Sequence, residues 1–272
     1  MKPHWKRVIG LVADLHVGSP CAPWPSGFIA PREEGSREIK PSKAQERLNL
    51  YWANFCNKLN EFQIDTLLLL GDLVHGNNRR EWGKGTMTAD LSLQVEACVQ
   101  LLKPIAKSLP TYAVSGSGYH DSLDVRLDRA VVKELGGEFL GYLANLPLEG
   151  TKRIITIQHG ASAAAIYREM IMGREDLFLA AAEGRGKLPF HIDMKITGHW
   201  HFFCHIHEEG RHLLQLPAWT DWSPWVGSLK YYGKMLPDIG GCILLIDDHD
   251  RMIVYPFLYE RPMIADGLLE KI

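Results

Sequence analysis

The chain has 272 residues, of which 46% are hydrophobic and 23% are charged. This composition is typical of a globular protein and excludes a collagen, a disordered chain or a disulfide-rich scaffold. Thirty basic and 32 acidic residues give a formal charge of −2, so no overall positive field would draw the chain to nucleic acid or anionic lipid. The five cysteines are widely spaced, without a C-x-x-C pair, which favours a reducing compartment. Because the N-terminal residues resemble neither a signal peptide nor a membrane span, we expect a cytoplasmic protein with no membrane partner.

Strand-like and helix-like patterns alternate along the first part of the chain. Apolar runs with the β-branched content of buried strands cover residues 7–13, 66–70, 112–114, 153–157 and Met194–Thr197. Helical patterns cover residues 42–62, 91–109 and 124–135, and Ser42 with Gln45 gives the first one a capping-box signature. After residue 200 the pattern predicts strands without helices, at residues 212–216, 241–246 and Met252–Tyr259, the last two forming a hairpin. We therefore predict a single α/β domain over residues 1–272, closed by antiparallel strands.

Five of the predicted strands end in carboxylate or imidazole side chains. The five endings are Asp14-Leu15-His16, Gly71-Asp72-Leu73-Val74-His75, Gly116-Ser117-Gly118-Tyr119-His120-Asp121, Gln158-His159-Gly160 and Gly198-His199-Trp200-His201. Open α/β sheets bind ligands outside the carboxyl ends of their strands, so we expect these segments to meet in one crevice. In an extended segment residues i and i+2 point the same way, which would pair Asp14 with His16 and His199 with His201. Mixed Asp and His ligands favour Mn²⁺, Fe²⁺ or Zn²⁺, and there are enough of them for two ions.

The ordered motifs resemble those of the calcineurin-like metallophosphoesterases: D-x-H, G-D-x-x-[DH], G-N-H-[DE], a histidine, and G-H-x-H. The similarity covers residues 7 to about 260. It implies a four-layer αββα sandwich with mixed sheets and antiparallel C-terminal strands. It also implies two divalent metal ions, of which we expect Mn²⁺, with Fe²⁺ or Zn²⁺ as alternatives. On this resemblance, the first ion is bound by Asp14, His16 and His201, Asp72 bridges the two ions, and His159 and His199 bind the second.

The resemblance also assigns catalytic residues. His120 matches the catalytic histidine of the family, and we expect Asp121 beside it to hold its ring. The G-D-x-x-H form ending in His75 resembles the repair nucleases of the superfamily, where this histidine also sits beside the substrate phosphate. Residues 216–219 and the region through 239–241 resemble proteins of tailed phages and prophages, and a phage-encoded protein would work in the host cytoplasm.

One position departs from the family pattern. Tyr119 stands where the family has an asparagine whose amide oxygen binds the second ion. Ser117, a water molecule or Tyr119 itself could replace this ligand. We favour Ser117 or water, because a phenol has a pKa of about 10 and needs a strong depression to bind as a phenolate. Tyr119 would then pack or face the substrate.

Three irregular segments could select the substrate. Residues 17–40 are rich in proline and glycine and could form a lid. Residues 77–88 place Arg79 and Arg80 near Trp82, a combination that can hold phosphates and stack on a base. Residues 219–234 interleave aromatic side chains with lysines, which indicates either a single-strand platform or ordinary core and contact residues.

The sequence thus predicts a metal-dependent phosphoesterase that hydrolyses phosphodiester bonds in DNA, RNA or a nucleotide. Two metal ions would activate a hydroxide, and His120 would protonate the leaving group as general acid. A phosphomonoesterase is the alternative within the enzymes. The Tyr119 departure supports a third reading, a non-catalytic phage-associated module with a weakened metal site. The sequence gives no prediction of oligomeric state.

Overall fold

The computed structural model describes residues 5–32, 35–77, 85–120, 126–160, 168–208, 210–221 and 236–261. The strands, in chain order, are β1 (Trp5–Val12), β2 (Ile29–Arg32), β3 (Gly35–Glu38), β4 (Thr66–Leu69), β5 (Thr111–Ala113), β6 (Glu138–Phe139), β7 (Leu143–Pro147), β8 (Ile154–Gln158), β9 (Met194–Thr197), β10 (Cys204–Glu208), β11 (Arg211–Gln215), β12 (Ile239–Asp247) and β13 (Met252–Tyr259). The helices are α1 (Lys43–Glu61), α2 (Leu91–Ala106), α3 (Leu127–Glu134) and α4 (Arg168–Gly184).

The strands build two large mixed sheets. The first has the order β13-β12-β1-β4-β5-β6, and the second has the order β10-β11-β9-β8-β7. Strands β1, β4, β5 and β6 are parallel to one another, whereas β12 and β13 add to the edge beside β1 in antiparallel fashion. In the second sheet β8, β9 and β11 are parallel, flanked by antiparallel β7 and β10. Each sheet therefore has a parallel centre whose strand ends point to the same side.

The two sheets pack face to face, and helices cover both outer faces. Apolar side chains from both sheets form the inner core, among them Ile9, Leu68, Ile155 and Ile196. A second core joins the outer face of the first sheet to α1, α2 and α3, while α4 contacts β10 and β11. Residues of β4 are buried throughout, as expected for a central parallel strand covered on both faces. The layers run helix, sheet, sheet, helix, which confirms the predicted αββα sandwich and its antiparallel C-terminal strands.

Helix α1 shows how closely local signals set the boundaries. The Ser42 hydroxyl accepts a hydrogen bond from the backbone N–H of Gln45, and the Gln45 side chain accepts one from the Ser42 N–H. These bonds satisfy backbone donors that a helix start leaves free. The predicted range 42–62 therefore matches α1 almost residue for residue.

Several elements differ from the sequence prediction. The 17–40 segment contains the β2–β3 hairpin, β10 forms at an edge, and α4 was not predicted. Helix α4 was missed because Met170, Leu177 and Phe178 are exposed on it, which removes the clean apolar stripe that marks an amphipathic helix. The third helix was predicted from residue 124, but α3 begins at Leu127, and residues 121–125 lie outside the described part of the chain.

Within the described residues, none of the helices has the length and apolarity needed to cross a bilayer.

Candidate metal centre

The predicted ligand segments meet where the two parallel centres end. Asp14 and Asp72 follow β1 and β4 of the first sheet, and His159 and His199 follow β8 and β9 of the second. Backbone hydrogen bonds join neighbouring segments: Asp14 N–H donates to the Gly71 carbonyl at 3.1 Å, and His16 N–H donates to the Asp72 carbonyl at 2.9 Å. The crevice expected from the strand endings is thus formed at the carboxyl edge of both sheets.

The backbone of these ligands is not extended, which corrects one expectation. Positive φ angles occur at Asp14 (53°), His16 (45°), Asp72 (48°), His199 (81°) and His201 (56°). The i, i+2 pairing predicted for Asp14 with His16 and for His199 with His201 therefore does not come from strand geometry. The chain instead turns sharply in the left-handed region, which is uncommon for residues other than glycine and occurs where a site requires it.

Asp14, His16 and His201 form a group that we call the first trio. Their ligand-type atoms all lie within 4.8 Å of one another. The Nε2 atoms of His16 and His201 are 3.1 Å apart, and they lie 3.6 and 3.2 Å from Asp14 Oδ1. This set of one carboxylate oxygen and two imidazole nitrogens matches the three residues predicted for the first ion.

Asp72, His159 and His199 form the second trio, again within 4.8 Å. His159 Nε2 lies 2.9 Å from Asp72 Oδ2 and 3.3 Å from His199 Nδ1. The Nδ1–H of His159 donates to the Leu70 carbonyl at 2.6 Å, which fixes the ring and turns Nε2 into the crevice. The two trios adjoin, since Asp14 Oδ1 is 3.8 Å from His159 Nε2. Asp72 falls in the second trio, and its bridging role stays a prediction.

The electrostatics of the trios favour a bound cation. Burial opposes ionisation of Asp14, but the imidazoles of His159 and His201 outweigh it and hold its pKa well below the usual value. Burial likewise opposes the charge of His159, yet Asp72 and Asp14 raise the pKa of its ring to about 10. The two buried carboxylates are therefore stable in their charged form only if positive charge lies beside them in this crevice.

Two of the trio histidines, His16 and His199, have lowered pKa values. Burial, assisted by the neighbouring His120, lowers the pKa of His16 to about 3, and burial with His159 lowers the pKa of His199 to about 4. Both rings are therefore in the unprotonated form that binds metal ions. Asp14 Oδ1 is buried and accepts no hydrogen bond, although imidazole nitrogens surround it. A divalent ion among these atoms would satisfy that oxygen, so the residues fit the metal ions that the sequence predicts.

His16 also belongs to a group with His75 and His120, which we call the histidine trio. The centroid of the His120 ring is 4.4 Å from that of His16 and 5.2 Å from that of His75. The Nδ1–H of His120 donates to the backbone carbonyl of His75 at 2.7 Å. The backbone carbonyl of His75 therefore orients His120, and the role predicted for Asp121 stays a prediction.

Ser117 and Tyr119 occupy different places. The Ser117 backbone N–H donates to Asp72 Oδ1 at 2.7 Å, and its hydroxyl lies 3.0 Å from Asp72 Oδ2. Ser117 thus holds the carboxylate of the second trio. Tyr119 is exposed and lines a cleft together with His159 and His199. Which group replaces the family's asparagine ligand stays a prediction.

Three predicted site residues, Asp121, Arg79 and Arg80, lie outside the described residues. The same holds for residues 222–234 of the aromatic and lysine-rich segment. Trp219, which begins that segment, is fully buried and packs against Trp52 and Phe55. For Trp219 the core interpretation is the correct one.

Asp128 is a positioning residue that sequence reasoning missed. It is buried on α3, and its carboxylate accepts hydrogen bonds from the backbone N–H groups of Asp72, Leu73 and Gly116 at 2.8–3.0 Å. One side chain thereby joins the second and third ligand segments. The available signal was an aspartate beside Leu127 and near Val131 and Val132, on the apolar side of a predicted helix.

No protein-family model and no curated protein sequence matches the chain. Solved structures with similar folds include zinc-bound Vps29 from Entamoeba histolytica, at 16% identity with a TM-score of 0.46, covering 97% of this chain and 96% of that one. An archaeal phosphodiesterase follows at 13% identity and 0.46, covering 92% and 99%. A dimetal phosphatase from Danio rerio has 12% identity and 0.49, covering 93% and 96%.

These similarities are too weak to assign an activity, so the assignment rests on the chain's own layers, strand order and side chains. The two packed sheets, the outer helices and the convergence of the ordered strand endings are what the motifs predict. The fold and the ordered ligand segments are those that the resemblance to calcineurin-like metallophosphoesterases implies.

Proposed function

We propose that the protein is a metal-dependent phosphoesterase that hydrolyses phosphodiester bonds in a nucleic acid or a nucleotide. The observation that supports this most is the adjoining pair of trios, each with one carboxylate and two imidazoles, beside a third imidazole group. Two divalent ions at this spacing of ligands would lower the pKa of a water molecule and offset negative charge on a phosphate. Mn²⁺ is the ion we propose, with Fe²⁺ or Zn²⁺ as alternatives.

The chain's own residues would prepare the site for this chemistry. Asp14, His16 and His201 would hold one ion, and Asp72, His159 and His199 the other. Ser117 and Asp128 fix Asp72 through its carboxylate and its backbone, so the ligands are in position before substrate arrives.

His120 would supply the proton to the leaving oxygen. Because its Nδ1–H is committed to the His75 carbonyl, the nitrogen that can exchange a proton with substrate is Nε2. Burial lowers the pKa of His120 from its usual value, which favours the neutral form of the free ring. An anionic phosphate beside the ring favours its protonated form, and His120 would therefore gain its proton as substrate binds.

The net charge is compatible with a polyanionic substrate. A formal charge of −2 gives no general attraction for DNA or RNA, but ions in the crevice would provide it locally. We propose a cytoplasmic enzyme, in the host cytoplasm if the gene belongs to a phage.

The test compares bis-p-nitrophenyl phosphate with p-nitrophenyl phosphate, each with added Mn²⁺ and with chelator. We expect metal-dependent hydrolysis that favours the diester. A strong preference for the monoester would make the protein a phosphomonoesterase. Fewer than one bound ion per chain at neutral pH, together with no hydrolysis of either ester, would favour the non-catalytic module that the Tyr119 departure suggests.

A further inference from the structure

A cleft with a volume of about 430 Å³ opens beside the second trio. Its walls come from the loop that follows β5, from the start of β7 and from the segment that follows β8, and they include His159 and His199. We call it the aromatic cleft, after Tyr119 and Tyr142 in its wall. Its volume lies in the range of small-ligand sites, and its contact with two predicted metal ligands makes it part of the crevice.

The cleft presents apolar surface to solvent. Tyr119 is 54% exposed, Tyr142 is 57% exposed and Leu143 is 49% exposed. Among the described residues that line it, none is a lysine, an arginine, an aspartate or a glutamate. Phosphate groups therefore find no lysine or arginine side chain among these residues, whereas a flat uncharged ring would find aromatic side chains there.

Sheet pairing explains how Tyr142 reaches a metal site without belonging to any ligand segment. Strand β7 runs antiparallel to β8, with Leu143 opposite Gln158, and Gln158 directly precedes His159. The residue before Leu143 is thereby placed at the rim of the second trio. Tyr119 approaches from the first sheet, at the position where the family's asparagine has been replaced.

We propose that the aromatic cleft binds the base of a nucleotide unit whose phosphate lies at the two trios, with Tyr119 and Tyr142 as the stacking side chains. This inference rests on the proposed function and assigns the surface that holds the base of its nucleotide substrate. The base and the phosphate would bind to different surfaces, the base to uncharged rings and the phosphate to ions. Because every base has a stacking face, the cleft accepts all four bases with similar affinity.

The test measures binding of three probes to the Mn²⁺-loaded chain by isothermal titration calorimetry. Adenosine 5′-monophosphate carries base and phosphate, ribose 5-phosphate lacks the base, and adenosine lacks the phosphate. We expect the nucleotide to bind about tenfold more tightly than ribose 5-phosphate, the difference typical of one stacked base. Tyr142→Ala should remove most of this difference, and Tyr142→Phe should keep it.

A matched control is Phe178→Ala, which removes an aromatic side chain of 67% exposure on α4, away from the cleft. It should leave all three affinities as in the wild type. Equal binding of the nucleotide and ribose 5-phosphate to the wild-type chain would overturn the inference, as would an undiminished difference in Tyr142→Ala.

The outcomes separate the cleft from the proposed function. If neither p-nitrophenyl ester is hydrolysed but adenosine binds and Tyr142→Ala weakens it, the proposed function fails and the base site stands. If the diester is hydrolysed while the base adds no affinity, the function stands and the base site fails. A short single-stranded oligonucleotide tests the source of the base: tighter binding than the mononucleotide assigns the site to nucleic acid, and equal binding assigns it to free nucleotides.

Discussion

Asp72 is fixed by three residues outside its own sequence motif. Its Oδ1 accepts the backbone N–H of Ser117, its Oδ2 lies 2.9 Å from His159, and its own N–H donates to Asp128. Hydrogen bonds from neutral donors to a carboxylate fix its direction and favour its charged form. The stereochemistry of the second trio therefore depends on residues that need not touch an ion.

Ser117→Ala tests this dependence. The substitution removes the hydroxyl at 3.0 Å from Asp72 Oδ2 and leaves the backbone donor in place. We expect metal affinity to fall by about 10–100-fold, as is typical when a partner of a metal ligand is lost. Activity should return at higher metal concentration. Titration of the metal-free chain with Mn²⁺ measures the change, and an affinity equal to wild type would show that the Ser117 hydroxyl contributes neither as ligand nor as support.

His120→Asn tests the proton donor. Loss of a general acid costs about 10²–10⁴-fold when the leaving group needs a proton. We expect that loss in kcat for an alkyl leaving group, and a much smaller loss for bis-p-nitrophenyl phosphate, whose leaving group departs without assistance. Metal content is measured alongside. If both substrates slow equally while the metal content is intact, His120 has another role.

Sequence analysis identified the residues whose side chains are typical metal ligands and follow predicted strands. Asp14, His16, His159 and His201 were found because carboxylates and imidazoles recur after strands. Asp128 was not found, because its role is to accept backbone N–H groups, and any backbone can supply those. Tyr142 and Leu143 escaped for a related reason, since only the β7–β8 pairing brings them to the crevice.

At the scale of elements, the ends of β4 and β5 approach so closely that only glycine fits between them. A Cβ on Gly116 would lie 2.1 Å from Asp72 Oδ1 and 2.3 Å from the Asp72 backbone nitrogen. Such a contact forces one of the two ligand segments to move. The close approach of these two loops therefore requires a residue without a Cβ at position 116.

Gly116→Ala should therefore reduce the free energy of unfolding by about 1–3 kcal/mol, the usual cost of overpacking, and lower the metal content. Gly118→Ala is the matched control in the same loop, because a Cβ there has no atom within 4 Å. Chemical denaturation and metal analysis of both variants give the comparison. Equal stabilities would show that the β5 loop yields without cost.

A second group of histidines lies on the β10–β11 hairpin, away from the motif. His205 Nε2 is 3.0 Å from His212 Nδ1, and the His207 ring stacks on His212 at 3.8 Å. These three rings pack with one another on one hairpin. Burial and the neighbouring His207 and His205 lower the pKa of His212 to about 4.

This shift predicts acid sensitivity. An unfolded histidine binds its proton near pH 6.5 and folded His212 only near pH 4, so in that window the unfolded state holds more protons. The contribution of His212 to the free energy of unfolding should fall as pH drops through the window, and be constant above it. We expect His212→Gln to remove about 1–2 kcal/mol of this fall.

Urea denaturation between pH 4 and 8, in chelator so that metal binding does not contribute, measures the effect as the difference in slope between the wild type and His212→Gln. His249→Gln, in the exposed turn between β12 and β13, is the control and should keep the wild-type slope. An unchanged slope in His212→Gln would contradict the assignment. The charged neighbours Arg153 and Asp193 also act on this ring and are retained in both variants.

Elements were predicted best where local and tertiary signals agree. The strands of the parallel centres are apolar throughout, and α1 has both a cap and a buried stripe. Strand β10 reads Cys-His-Ile-His-Glu, which has little β-sheet propensity of its own and is specified mainly by its pairing with β11. No local sequence pattern in β10 indicates that it pairs with β11.

For the whole molecule, the candidate metal centre lies where the two sheets are already joined by hydrogen bonds, from His159 Nδ1–H to the Leu70 carbonyl and from the His199 N–H to Asp14 Oδ2. First-trio and second-trio residues come from both sheets, so ions bound there connect the layers. We expect Mn²⁺ at about 100 times its dissociation constant to stabilise the folded chain by about 2.7 kcal/mol per site, which raises Tm by about 5–10 °C.

Scanning calorimetry with Mn²⁺ and with chelator measures this difference. Asp250→Asn, a change in the turn that contacts Lys6, should keep the full metal-dependent increase, while Asp14→Asn should lose most of it. An identical Tm with Mn²⁺ and with chelator would mean that the trios bind no metal ion that stabilises the folded chain.

The left-handed turns at five ligand positions have a consequence for ion selection. A residue other than glycine keeps a positive φ only when its surroundings hold it there, so the donor atoms stand on backbone with little freedom to spread apart. An ion such as Ca²⁺, which needs bonds of about 2.3–2.6 Å and six to eight oxygen atoms, would require the turns to open. We expect ions with bonds near 2.0–2.2 Å to imidazole and carboxylate to fit without that movement, so that the radius of the cation as well as the chemistry of the ligands would decide which ion binds.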